Sequence, residues 1–205
     1  MNDKITITKD GVDTIYVRED KIMQNTGVGL YRDFKFCGLD WQVIDEDAET
    51  TTLLAKFCLN KEIIKEVFAS DEYDSDYDVK FSDNSSEWRW KNSIIRKRLN
   101  DKFLKMLNKE QLVPMTTTIW LNGESSTTKD YVRLLTLDEI QRLPKSVKES
   151  KAQYYFWSLS PYNFYGGFAN VFRVYTTGNL NITLVDFGGA VAPVIKLKRS
   201  SLKEC

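Results

Sequence analysis

The period of the apolar residues changes along this chain, and that change limits the folds open to it. Most segments alternate with period two, as half-buried strands do; one stretch repeats at helical spacing. Ile5 and Ile7, then Ile15 and Val17, flank Asp10-Gly11, a hairpin signal. Phe34 and Phe36 lead through Gly38 to residues 41–44, an acidic turn at 45–49 and residues 52–57, another antiparallel hairpin. Ile63, Ile64, Val67 and Phe68 share one side of a short helix over 60–69. The clearest helix is capped by Asn92 or Ser93, carries Ile95, Leu99, Phe103 and Met106 as its stripe, and ends near Asn108. Thr136 to Glu139 reads as a capping box, opening a helix that Pro144 stops.

Strands are expected at 132–135, 156–159, 169–175, 181–185 and 190–197. Pro193 belongs on an edge or at a bulge, because it has no N–H for a ladder. The Ser/Thr-rich stretch 116–129 reads as a flexible loop, and so does 161–167. This order predicts an α+β fold: a compact domain of small antiparallel sheets and two main helices, preceded by an N-terminal β-hairpin. The expected division is a hairpin and connector over 1–33, the α+β domain over 34–197 and a basic tail over 198–205.

The chain has 205 residues and no histidine. Without histidine, the Ser-His-Asp and Cys-His nucleophile classes, histidine acid–base chemistry and most zinc sites are excluded. Its 29 basic and 29 acidic residues give a formal net charge of zero, with no chain-wide pull toward nucleic acid or anionic membrane. That neutrality conceals two adjacent blocks. Over 71–87, seven acidic residues face only Lys80; over 88–109, eight basic residues face only Asp101. The two blocks either cancel each other or meet a partner.

Cys37, Cys58 and Cys205 form an odd set without CxxC spacing, so they read as free thiols in a reducing compartment. Cys37 and Cys58 lie in strand-like apolar runs and are expected to be buried. The first residues contain no apolar signal-peptide core, and no run approaches the ~18 residues of a membrane span. The expected location is the cytoplasm of a bacterium or phage-infected host, or a virion. No cofactor or metal is expected. Asp74-x-Asp76-x-Asp78 opens like a calcium loop, but Val79 stands where glycine is needed and Ser85 where a bidentate glutamate is needed.

Residues 154–172 hold nine aromatic side chains in 19 positions. Phe156, Trp157 and Phe172 read as core. Phe156 and Trp157 are adjacent, so one must face outward or cover a second layer. Tyr162, Asn163, Phe164, Tyr165 and Phe168 form a mixture of rings and amide suited to contact at low entropy cost. They either bind a ligand or fold back over the sheet. Trp120 and Trp88 are further candidate anchors, with Trp88 expected to be exposed. Asp74, Asp76, Tyr77 and Asp78 offer an acidic, aromatic surface for a basic partner. Arg98, Lys102 and Lys105 share one helix stripe, the only route foreseen to nucleic acid. No P-loop or dinucleotide pattern occurs, and nothing fixes two carboxylates at a hydrolytic separation.

Several motifs occur in a fixed order. They are Gly38-x-x-Trp41-x-Val43, Trp90-x-x-Ser93-x-Ile95-Arg96-x-x-Leu99-Asn100-x-x-Phe103, Asp130-x-Val132-Arg133-Leu134-Leu135-Thr136-x-x-Glu139, Trp157-Ser158-Leu159-Ser160 and Val191-Ala192-Pro193. This set resembles a family of bacterial and phage domains of unknown function, over roughly 36–197. The last two motifs also resemble the C-type lectin-like fold of formylglycine-generating enzymes and bacterial or phage ligand-display proteins. The resemblance implies a lectin-like fold with a loop-built binding face. It implies no oxidase activity, because the paired catalytic cysteines have no counterpart. Arg98 and Ala190 depart from the family pattern.

The expected function is a non-enzymatic interaction domain recognising a protein or glycan through aromatic loops. The alternatives are an inhibitor of a host defence protein acting through the acidic Asp/Tyr segment, and a carboxylate hydrolase.

Overall fold

The computed structural model describes residues 30–68, 79–149, 151 and 155–200, and the backbone of strands 4–9 and 12–17. Strands β1 (Lys4–Lys9) and β2 (Val12–Val17) pair antiparallel, as the N-terminal hairpin requires. Then come β3 (Asp33–Phe36), β4 (Leu39–Glu46), β5 (Thr50–Ala55) and α1 (Lys61–Phe68). Helix α2 (Ile94–Asp101) precedes a hairpin of β6 (Met115–Leu121) and β7 (Glu124–Asp130), then β8 (Val132–Arg133). Two short helices, α3 (Leu137–Arg142) and α4 (Lys145–Glu149), lead to β9 (Phe156–Tyr165), β10 (Phe168–Val174), β11 (Leu180–Leu184) and β12 (Val194–Lys198). The fold is α+β with small antiparallel sheets.

Local chemistry explains the helix ends. The Ser93 hydroxyl accepts from the Arg96 N–H at 3.1 Å and caps α2. Thr136 and Glu139 form the reciprocal capping box of α3. Helix α2 is shorter than its apolar stripe suggests. It tightens into a 3-10 turn over Phe103–Met106, which keeps Phe103 and Leu104 buried while the chain turns away.

The largest sheet has the order β3-β4-β5-β12-β8. Its centre is buried on both faces. Trp41, Val43, Leu53 and Ile195 enter one apolar cluster, with α1, α2 and Trp90. Leu54 and Val194 enter a second, with Leu135, Ile140 and Val147. This resolves the Phe156-Trp157 pair: Trp157 enters the first cluster and Phe156 the second. Pro193 sits at neither an edge nor a bulge. It immediately precedes β12, where its carbonyl accepts from Ala55 N–H at 2.9 Å and its missing donor costs nothing.

Three expectations are corrected by one kind of turn. Cys37-Gly38, Asn122-Gly123 and Gly166-Gly167 all have positive φ at both positions. Such two-residue turns match the twist of a tight hairpin. Residues 116–129 are therefore the β6–β7 hairpin, its threonines serving as β-branched strand formers. Residues 161–167 are not a loop but the end of β9 and its turn into β10. Cys37, at φ 50°, is exposed on its turn rather than buried.

Candidate functional site

The aromatic residues lie on a three-stranded sheet of order β11-β10-β9. Cross-strand partners share a face. Ala169, Val171 and Trp157 turn one face into the first apolar cluster. On the other face, Phe156 and Val174 enter the second cluster at one end only. Beyond them that face is open. Tyr165 lies opposite Phe168, Asn163 opposite Asn170, Phe172 opposite Ile182 and Asn170 opposite Leu184.

Tyr162 is the extra residue of a bulge, since Asn163 pairs with Asn170 but Pro161 with Val171. The bulge turns its ring edge-on to Phe172, with centroids 5.2 Å apart. The Asn170 amide donates to Asn163 Oδ1 at 3.0 Å. Tyr165 is 83% exposed, and Phe168, Tyr162 and Ile182 are exposed as well. Phe164 shares the core-side face with Ala169 but stands past the core, at the hairpin tip. Phe172 is half-buried on the open face, so it is not core as expected.

A second anchor lies on the neighbouring hairpin. Trp120 is 68% exposed, close to the Asn122-Gly123 turn. One segment ties both hairpins. Ser85 O accepts from Ala169 N–H at 2.7 Å, and Ser86 Oγ donates to Gly167 O at 3.0 Å. Three residues on, Arg89 donates to Glu124 at 2.6 Å.

Trp88 is not the exposed anchor expected. It is buried beside Trp90 in the first cluster, because residues 79–90 close over that core. Val79 exchanges main-chain bonds with Gly189, and Ser82 N–H donates to Val185 O at 3.0 Å. Trp88 and Trp90 have the same parity and both turn inward, with the Arg89 guanidinium 4.9 Å above the Trp88 ring.

Asp74, Asp76, Tyr77 and Asp78 lie outside the described residues. At the described end of the acidic block, Glu87 pairs locally with Arg89 and Asn92. Arg98 is half-buried, whereas Lys102 and Lys105 are exposed, with Lys105 bonded to Asp101 at 2.8 Å. Among the described residues, no group of three or more His, Cys, Asp or Glu is placed to hold a metal ion. No described helix is long and apolar enough to cross a membrane.

A cleft of about 350 Å³ is lined by Asp45, Glu49, Thr116, Arg133, Glu139 and Lys196. Its most buried carboxylate is committed to structure. Glu139 takes two bonds from Arg133, at 2.7 and 2.6 Å, and closes the α3 capping box. Burial raises its pKa, but Arg133 and Thr136 outweigh that and hold it below the ordinary value. A general acid needs the opposite shift.

Lys151 is buried, and the half-buried Cys58 lies beside it, its N–H donating to Lys151 O at 3.2 Å. The Lys151 ammonium donates to Gln42 Oε1 and Ala55 O, both at 2.9 Å. Burial pulls its pKa from 10.5 down to about 8 and pushes the Cys58 thiol from 9.0 up to about 12. The unfolded state holds the Lys151 proton longer, so stability rises from pH 8 toward 10.5. The folded state holds the Cys58 proton longer, so stability is lost from pH 9 toward 12. Cys58→Ala should therefore gain about 1–2 kcal/mol relative to wild type between pH 9 and 10.5. Urea midpoints at those two pH values measure it, and a pH-independent difference counts against the raised thiol pKa.

No family model, curated protein or solved structure matches the chain. The site therefore rests on its own geometry. Sequence reasoning missed Leu180, Ile182 and Leu184, which extend the apolar surface across β11. The signal was available, because Leu180, Ile182 and Leu184 alternate with Asn181 and Thr183.

Proposed function

We propose that this chain is a non-enzymatic binding module that recognises a protein or a glycan through the β9–β10 hairpin and the open face beside it. The observation that carries this is the uncovered row of Tyr162, Tyr165, Phe168 and Ile182 on a sheet whose other face is core. Soluble domains rarely leave a contiguous apolar surface in water unless something covers it in use. The rings are held by the paired, bulged β9–β10 hairpin and by Ser86, so little ordering is left to oppose binding. The Asn163–Asn170 amides supply polar direction among the rings.

The test uses a displayed random-peptide library and an oligosaccharide array against wild type and Tyr165→Ala/Phe168→Ala. Both rings are solvent-exposed, so the variant should keep its near-ultraviolet CD. Binders are expected to lose about 30-fold in affinity on the variant, the effect of a hot-spot pair. Binders that ignore the change, or an absence of binders from both sources, would overturn the assignment.

A further inference from the structure

We infer that β11 pairs antiparallel with β11 of a second copy of this chain, about a two-fold axis at Ile182. This uses the main-chain edge of β11 rather than the rings of the hairpin tip; the Ile182 side chain is common to both surfaces, and the pairing does not depend on what the tip binds.

The direction of the backbone groups comes first. In an antiparallel pair, every second residue turns both its N–H and its C=O toward the neighbour. Tyr175 N–H donates to Asn179 O at 2.8 Å, and Val185 N–H to Ala169 O at 3.2 Å. Odd-numbered residues of β11 therefore face β10. Leu180, Ile182 and Leu184 turn their main-chain groups away, to the edge of the β11-β10-β9 sheet on which no described strand pairs. Among the described residues, Phe187 N–H also donates to Leu184 O, at 3.2 Å.

The side chains select the occupant. Edge strands are ordinarily protected by charge, proline or a bulge. Leu180–Leu184 reads Leu-Asn-Ile-Thr-Leu, with none of these and no bulge in its pairing with β10. The order is symmetric about Ile182. Antiparallel pairing at that residue sets Leu180 against Leu184 of the partner and Ile182 against Ile182 of the partner. Both copies bring the same neutral strand, so no like charges meet at the dyad. A charged extended peptide would find no complementary group on β11. The pairing spans only about 17 Å at 3.4 Å per residue, so the interface falls below the roughly 1,200 Å² of stable complexes and is weak and concentration-dependent.

Sedimentation equilibrium from roughly 10 µM to 1 mM, the range fitting an interface of this class, tests it. Wild type should show reversible dimers. Ile182→Lys, which sets two ammonium groups on the axis, should weaken them at least tenfold. Ile182→Pro is the second variant; it adds no charge and removes a donor that only the dimer uses. Tyr165→Ala/Phe168→Ala should leave the dimer intact. A wild type monomeric at the top of the range overturns the inference. So does a dimer that survives both Ile182 changes, or one lost only in the tip variant. Failure here leaves the peptide and glycan test of the hairpin tip untouched.

Discussion

Asp130→Ala should cost the fold about 3–5 kcal/mol, the range for breaking a buried charge pair from one side. The carboxylate is 1% exposed and joins three parts of the chain. Trp90 Nε1 donates to Oδ2 at 2.9 Å, and Arg96 Nε donates to Oδ1 at 2.8 Å. Alanine leaves the indole N–H without its partner inside the core and the guanidinium without its counter-charge. It also frees the end of β7 from α2. Asp130→Asn keeps one acceptor for Trp90 and should cost about half as much. Urea unfolding followed by tryptophan fluorescence measures both. A loss under about 1 kcal/mol for alanine would show that the pair is dispensable.

Trp157→Ala is expected to cost a similar ~3–5 kcal/mol, through lost burial and the cavity left behind. The ring is fully buried, and its Nε1 donates to Val79 O at 2.6 Å. Val79 O also accepts from Gly189 N–H at 3.2 Å, so one carbonyl ties two segments to β9. The approach is tight enough to require glycine at 189. A Cβ there would stand 2.8 Å from Trp157 Cε2. Gly189→Ala alone should cost about 1–3 kcal/mol by overpacking. Combined with Trp157→Leu, it should cost less than the sum of the two singles, because removing the ring removes the clash. Strict additivity would mean that the close approach is not what glycine provides.

How far the sequence reached can be seen residue by residue. Alternation placed β3, β10 and β11, because each has a more buried and a wetter face, whereas β4 and β5, buried on both faces at their centres, showed as apolar runs on either side of an acidic turn. The hydroxyls of Ser93 and Thr136 marked helix starts correctly, since capping is local chemistry. The hairpin tips are hidden in the sequence because Gly166-Gly167 and the threonines of β6 resemble loop composition. Their meaning lies in the turn type, which also applies at Asn122-Gly123. Tyr162, Tyr165, Phe168 and Trp120 were legible as site candidates because large rings beside turns lack local cover. Trp88 was not, because its burial depends on residues 79–90 lying across a distant sheet. The free edge of β11 was equally hidden. Which strand ends a sheet is decided by pairings far apart in sequence.

The position of β12 also sets a timetable for folding. It fills the slot between β5 and β8, pairing Val194 with Leu54 on one side and with Arg133 on the other. As the chain leaves a ribosome, that slot stays vacant until residue 198 has emerged. The halves on either side must wait with two unpaired strand edges, while loop closure over some 140 residues remains to be made. Central-sheet assembly is thus a late event in the folding of these residues, and the waiting interval is when they are most exposed to aggregation and to chaperone capture.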